Sequence, residues 1–377
     1  MKKEKIYLNF GAVGKYSDEM IGAVNNLLQF EKKYGGAAIE MIEKREAILH
    51  DSRMKFSELL NCDFEEMCVT SNTTEGINIV AYGLDLKLDD EVIVTDEEHY
   101  SCMVPWENLV ELRGVKVVNI SLGNLSDASG NLIKEKFLQC IKASITSKTK
   151  AVFLSHVLWT TGIELPIEDV CKLVKSLNSD IVVIVDGAQT VGHIDVDVKR
   201  LQCGAYSFTG GKWLNAPTGT GGLYIDKQLM SRIKTVYCGW NSVNYDKNIT
   251  FREDARRFEV STRNVAILGG LNAAINIYRS KSLRSCKFDS VNLIKKHLIE
   301  SGSYDVIAPE NKNSIITFKH KNVRCEILHE QLLSEGILCK KVLEKNAIRL
   351  CIPVFNSDDL DLKRIYEALE KIEKINA

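Results

Sequence analysis

The sequence predicts an α/β fold: a large domain built on a mostly parallel seven-stranded sheet flanked by helices, then a smaller α+β C-terminal domain. Three observations carry this expectation. Short apolar runs alternate with amphipathic stretches through the middle of the chain. Several runs are continuous Val, Ile and Leu rather than alternating, the pattern of strands covered on both faces. After about residue 258 the alternation stops, and a long helical stretch opens a region of different texture.

In order, the strand-like runs are MCVTS (67–71), EVIVT (91–95), VKVVNI (115–120), AVFLSHV (151–157), IVVIVD (181–186), AYSFT (205–209) and GGLYI (221–225). Helical patterns cover 73–83, 102–113, 133–144 and 167–177. Strand–helix alternation argues for a parallel sheet with helices on both faces. Beyond residue 258 come a helical stretch (263–281), the strand NSIITFKH (313–320), an amphipathic helix (323–335), the strand AIRLCIPV (347–354) and a charged helix (357–375). The expected division is 15–257 for the large domain, and 1–14 with 258–377 for the small one. The first fourteen residues would pack on the small domain or cross a dimer.

At 377 residues the chain is long for one core. Hydrophobic residues make up 45% and charged residues 26%, as in ordinary globular proteins. A net charge of −1 offers nothing to nucleic acid or to an anionic membrane. No apolar run reaches the roughly 18 residues of a membrane span. Glu4 and Asn9 interrupt any signal-peptide core behind the first lysines. Eleven scattered cysteines with no CxxC pair do not read as a disulfide framework. A cytoplasmic, reducing location is expected.

Ligands of α/β sheets sit beyond the C-terminal ends of the strands. The first run ends in SNTTEGIN (71–78), where Ser71 and Asn72 cap a helix with Glu75 in its first turn. Small hydroxyls and free N–H groups there suit a phosphate, though alone the motif is an ordinary capping box. His99, in TDEEHYSCMVPW (95–106), is either a surface histidine among acids or an aromatic face and acid/base group for a flat ligand. Asp186 follows five apolar residues, as a helix cap or as a carboxylate held by a cation, with Gln189 three residues on. Lys212 stands in the small-residue turn YSFTGGKWLNAPTGTGGLY (206–224). A desolvated lysine becomes a nucleophile for carbonyls. A strand-end Asp for a pyridinium nitrogen, a Schiff-base lysine and a helix-end phosphate site together describe pyridoxal phosphate.

In that order and spacing the sequence resembles the class V aminotransferase family, within fold type I of the pyridoxal-phosphate enzymes. It is most similar to the cysteine desulfurase and selenocysteine lyase branch. The resemblance runs nearly end to end. It is carried by YLNFGA (7–12), TTEGIN (73–78), EHYSCMVPW (98–106), SHVLWTTGIELP (155–166), VDGAQTVGHIDVD (185–197), FTGGKW (208–213), PTGTGGLY (217–224), RFEVSTRN (257–264) and IRLCIPVFN (348–356). It implies Lys212 as the Schiff-base lysine and Cα proton carrier, Asp186 on the pyridine nitrogen, Gln189 on the phenolic oxygen and His99 stacked on the ring. Thr73, Thr74 and Thr209 would bind the phosphate. Thr262 would reach the phosphate of the other subunit, which implies a homodimer with a shared site. Arg349 would pair with the substrate α-carboxylate, and Asn9, Trp159 and Trp240 are further substrate-facing candidates.

The sequence departs from the family in three places. Gly211 stands where a His usually precedes the lysine, which should loosen the turn. Trp159 stands where desulfurases often have Asn, in a pattern similar to lyase and epimerase-like members. In GILCKKVLEKNAIRL (336–350), eight residues separate Lys340, at the place of the family's first arginine, from Arg349. That leaves no room for the usual loop bearing a nucleophilic cysteine. Cys339 is the single cysteine there, and strand alternation points it away from the site. Within this family the shortened loop favours a C–S lyase acting by β-elimination on cysteine or a cysteine S-conjugate. The alternatives are an aminotransferase or epimerase on another amino acid, or a desulfurase that passes a Cys339 persulfide to a sulfur-acceptor protein. The segment 238–257, with Trp240, Asn241 and Tyr245, is expected at the substrate entrance.

Overall fold

The seven strand-like runs form one sheet in the computed structural model, which describes residues 5–245, 248–280, 289–353 and 361–376. Across the sheet the order is Met67–Thr70, Gly221–Ile225, Ala205–Thr209, Val182–Asp186, Thr149–Ser155, Glu91–Thr95 and Lys116–Ile120. Gly221–Ile225 alone runs antiparallel to its neighbours. Val182–Asp186 and Gly221–Ile225 are buried along their whole length, so their apolar side chains fill the layers on both faces. The expected helices lie at Thr73–Gly83, Tyr100–Arg113, Lys134–Ser144 and Ile167–Leu177. The second starts earlier than its apolar pattern because the His99 side chain caps it, accepting the Ser101 N–H.

Two long helices, Asp18–Tyr34 and Ile39–Leu60, have no counterpart in the sequence reading. They pack against the helix Val265–Ser280. This moves the domain boundary expected at residue 258. Leu268, Leu271, Ala274 and Ile275 share one core with Met20, Phe56, Leu154 and Phe208 of the large domain. Small residues permit that packing: a Cβ added at Gly269 would lie 2.0 Å from Leu27 Cδ1, and one at Gly270 2.6 Å from Val24 Cγ2. The change of texture at 258 marks the end of strand–helix alternation and not the end of the core.

The second core belongs to an antiparallel sheet in the order Tyr304–Ile307, Ile315–His320, Ala347–Cys351 and Lys340–Val342. The helices Asp289–Glu300, Cys325–Ser334 and Leu362–Asn376 cover it. Residues 357–360, the start of the charged helix expected from the sequence, lie outside the described residues. At the N-terminus, Ile6–Tyr7 pairs in parallel with Ile337–Leu338, and Asn9 bridges to Cys351. The two cores are pinned together along 313–317. Asn313 Nδ2 donates to Gly162 O at 2.7 Å, the Ser314 N–H to His193 Nε2 at 2.9 Å, and Thr317 Oγ1 to Thr160 O at 2.8 Å. No described helix is long and apolar enough to cross a membrane.

Candidate active site

The strand Val182–Asp186 delivers Asp186 at its C-terminal end, in register with Ser155 and Ser207 on either side. The carboxylate is buried. Its Oδ1 accepts the Ala188 N–H at 2.7 Å, and its Oδ2 accepts the Cys102 thiol at 3.1 Å. Both oxygens are therefore fixed before any ligand arrives, and a cation at Oδ2 would share it with the thiol. Burial, reinforced by the nearby carboxylates, keeps Cys102 well above the usual thiol range and so protonated.

Lys212 follows the neighbouring strand, in a turn that is pinned rather than loose at Gly211. The Gly14 N–H donates to Gly211 O at 2.8 Å, and the Asn215 N–H to Lys212 O at 3.0 Å. Next to it Trp213 is buried, stacks on His193 at 3.7 Å and donates Nε1 to Gln189 Oε1 at 2.8 Å. Gln189 Nε2 spends one proton on Gly11 O at 2.8 Å and keeps the other for a ligand. Desolvation holds the Lys212 ammonium below its ordinary range, against the pull of Asp186. An amine so placed loses its proton more readily and becomes a nucleophile.

The opposite end of the cavity is the N-terminus of the helix Thr73–Gly83. Asn72 Oδ1 accepts the Glu75 N–H at 2.9 Å, and Glu75 in turn binds Arg263 at 2.7 Å and the Ser71 N–H at 2.6 Å. Asn72 caps the helix, but Glu75 does not close a capping box on the Asn72 N–H; its carboxylate is committed to Arg263 and the Ser71 N–H. Gly76 brings this helix onto the sheet, since a Cβ there would lie 2.2 Å from Ser207 Oγ. Thr73 Oγ1 is buried with no hydrogen-bond partner, on the cavity wall beside Thr74. An orphaned hydroxyl at a helix N-terminus fits an anion.

A cavity of about 530 Å³ joins these groups. Lys212, Asp186, Gln189, His99, Thr73, Thr74, Thr209, Arg349 and Trp159 all line it. His99 meets Trp159 edge to face at 5.3 Å. Burial and the charge of Lys212 hold its imidazole below the ordinary range and hence neutral. Arg349 is buried, donates Nη1 to Trp159 O at 2.6 Å and Nη2 to Asn9 Oδ1 at 3.2 Å, and leaves Nε without a partner. Asn9 thus touches the site through Arg349.

Three predicted site residues do not line the cavity of the single chain: Thr262, Trp240 and Asn9, which touches it through Arg349. Thr262 is exposed. Trp240 is 54% exposed and donates Nε1 to Ser261 Oγ at 3.3 Å. The side chain of Tyr245 lies outside the described part of the chain. Three other groups on the wall were not singled out as site residues by sequence: Cys102, Ser155 and, at the mouth, Glu344. Behind Ser155 lies Glu98, buried, with Oε2 accepting the Ser155 N–H and hydroxyl at 2.8 and 2.5 Å, and Oε1 the Thr95 hydroxyl at 2.8 Å. Its place directly before His99 was the available signal. Lys340 and Arg349 lie opposite each other on a hairpin that closes through Leu343–Lys345, so no long loop stands between them. Cys339 lies in the small-domain core, with its thiol pushed up to about 12 by burial.

The residue set fits pyridoxal phosphate: a desolvated lysine, a buried fixed carboxylate and an orphaned hydroxyl at a helix N-terminus surround one cavity. The comparisons agree. Residues 6–341 match the model of the family Aminotransferase class-V. A probable cysteine desulfurase of Borreliella burgdorferi is 34% identical over 283 residues, 71% of this chain and 64% of that protein. One of Pyrococcus abyssi is 31% identical over 250 residues, 65% of this chain and 60% of that protein. The matched parts thus span somewhat under two thirds of these relatives. Among solved structures, the cystine C–S lyase C-DES, with its reaction product cysteine persulfide, superposes with a TM-score of 0.89 at 24% identity, covering 97% of each chain. A cysteine desulfurase from Thermococcus onnurineus gives 0.84 at 23%, covering 98% of this chain and 95% of that one. With the family model matching most of its length, the chain belongs to the class-V aminotransferase family, among the pyridoxal-phosphate-dependent enzymes of its cysteine desulfurase-like branch.

Proposed function

We propose that the protein is a pyridoxal-phosphate-dependent C–S lyase that eliminates sulfur from Cβ of cysteine or a cysteine S-conjugate. The observation that carries this is the short hairpin from Lys340 to Arg349. It offers no cysteine to the cavity, and the one adjacent thiol, Cys339, is buried elsewhere. The thiol on the cavity wall, Cys102, is held protonated against Asp186. Among the described residues no thiolate is therefore placed to take sulfur onto the protein.

In this reading Thr73, Thr74 and Thr209 hold the phosphate, Gln189 the phenolic oxygen, Asp186 the protonated pyridine nitrogen, and Lys212 the aldehyde carbon. The bound cofactor supplies an electron sink for the bond broken at Cα. Arg349 receives the substrate α-carboxylate in a bidentate pair. Lys212 Nζ accepts the Cα proton, which its lowered pKa permits. His99 and Trp159 give the flat ligand aromatic walls. Sulfur leaves Cβ with its bonding pair, and water converts the remaining three-carbon unit to pyruvate and ammonia.

Thr262 and Trp240 belong, in this reading, to the active site of a second copy. The exposed Tyr237, Trp240, Ile249 and Phe251 support a homodimer, since they leave apolar surface uncovered near the same segment. Light scattering on purified protein should give twice the chain mass. Supplied with L-cysteine or an S-alkylcysteine, the holoprotein should release pyruvate and ammonia in equal amounts. Absence of both with every such substrate overturns the proposal.

A further inference from the structure

The helix whose N-terminus carries Thr73 and Thr74 has an acid, Glu75, as its third residue. A carboxylate is favourable at a helix N-terminus, but it competes there with any second anion. The group that answers this charge lies 188 residues further along the chain. Arg263 Nη2 donates to Glu75 Oε1 at 2.7 Å and Nη1 to Oε2 at 3.3 Å, a bidentate pair. Nη1 also donates to Ser71 Oγ at 3.0 Å, and Nη2 to Val69 O at 3.0 Å. Burial by itself would raise the Glu75 carboxyl, but the hydrogen bonds and charge of Arg263 outweigh it and hold the group below its ordinary value, hence ionised. Arg263 is fixed from behind as well. The strand Met67–Thr70 is the edge of the seven-stranded sheet, so one side of it has no strand to pair with. Val69 gives both backbone groups to the segment 259–263 instead. Its N–H goes to Glu259 Oε1 at 2.8 Å and its O accepts from Arg263. Buried Arg53 holds Glu259 in turn, at 2.8 and 2.9 Å.

We propose that Arg263 is a positioning residue of the phosphate site, acting through Glu75: it cancels the carboxylate beside the helix N-terminus and holds it off the cavity, so that the first turn stays free for a phosphate. Glu75 does not line the cavity, although Thr73 and Thr74 before it do. Both its oxygens are occupied, Oε1 by Arg263 and Oε2 by Arg263 and the Ser71 N–H. Thr73 Oγ1, two residues earlier, is buried and unpaired. The acid is thus satisfied on the side away from the cavity, and the hydroxyl is left for a ligand. Released from Arg263, a carboxylate at the third helical position would swing to the N–H groups at the start of the helix, as a capping box does. It would then fill the donors that an anion needs and oppose that anion by charge. This rests on the reading above that the phosphate lies at Thr73 and Thr74.

The test titrates the full chain, freed of cofactor, with pyridoxal phosphate and with pyridoxal, which lacks the phosphate, and reads absorbance. Arg263→Gln should weaken pyridoxal phosphate about tenfold, the scale of one charge at a helix end, and pyridoxal by less than about twofold. Glu75→Gln removes the charge at its source and should leave both affinities within about threefold. The double variant, Glu75→Gln with Arg263→Gln, should recover most of the loss. Inorganic phosphate is the second probe: it should raise the melting temperature of Arg263→Gln less than that of the native chain. Equal losses for the two ligands, or a double variant no better than Arg263→Gln, would make the ion pair a brace of the fold and overturn the inference. Should Arg263→Gln fail to fold, Glu75→Gln decides. A tenfold loss of pyridoxal phosphate in that variant would mean that the carboxylate serves the site, and would overturn the inference; unchanged affinity supports it. A native chain that binds the two ligands equally would overturn the placement of the phosphate itself, a separate outcome.

Discussion

Glu98 shows how one buried acid conditions the site. It accepts three hydrogen bonds, yet desolvation, with the charge of Asp186, raises its carboxyl from 4.5 to about 8. The folded state therefore holds this proton more tightly than the unfolded chain. By linkage the stabilisation is full below pH 4.5 and is lost as pH rises through 8. Glu98→Gln should flatten the fall of melting temperature between those pH values, and an unchanged slope would assign the loss to other groups. At the phosphate end, Thr73 Oγ1 is the orphan that a ligand must satisfy. Thr73→Ala should weaken cofactor binding by about tenfold, the worth of a hydrogen bond to a charged group. Cofactor titration by absorbance measures it, and an affinity change under twofold would remove Thr73 from the phosphate site. Arg349, in the middle of the strand Ala347–Cys351, was marked by the family resemblance alone, whereas Asp186 and Lys212 were legible in the sequence because strand-end position and turn chemistry mark them. Glu98 and Cys102 were not, because their importance comes from what faces them across the sheet, Ser155 and Asp186.

At the scale of elements, the strands were legible because their apolar runs are continuous and bounded by turn residues. The helices Asp18–Tyr34 and Ile39–Leu60 were not, because nothing in their own pattern says they pack on a helix more than two hundred residues later. The Gly269–Gly270 pair was the available sign of that close contact. The helix Thr73–Gly83 depends on a similar approach at Gly76. Gly76→Ala should cost about 1–3 kcal/mol by forcing helix from sheet. It should also weaken cofactor binding, because it displaces the same helix N-terminus that carries Thr73. Denaturant melts with cofactor titrations would show both effects together, and loss of stability with unchanged affinity would uncouple the helix from the site.

For the whole molecule, two histidines join distant parts. His193 links Gln189 and Trp213 to Ser314 of the small domain, and His156 packs on Tyr206 beneath the sheet. Burial lowers both imidazoles from 6.5 to about 4. They are neutral in the fold, so protons favour the unfolded chain. Their contribution is full above pH 6.5 and is lost as pH falls through 4. Stability should drop over that window, and His193→Asn should shallow the drop. A parallel acid limb in the variant would remove His193 as a cause. The two-domain plan was legible from the change of texture near 258, but the boundary was not, since composition does not report which core a helix enters.

In the lyase reading, sulfur leaves without being taken onto the protein. The most direct test is product partition on the purified holoprotein given L-cysteine or a cysteine disulfide, with intact-mass analysis of the chain during turnover. Pyruvate and ammonia in equal amounts, no added sulfur on the chain, and the same result with Cys339→Ala are expected. Alanine as product, with one sulfur added to the chain and lost in Cys339→Ala, would instead make the protein a desulfurase that takes sulfur onto Cys339.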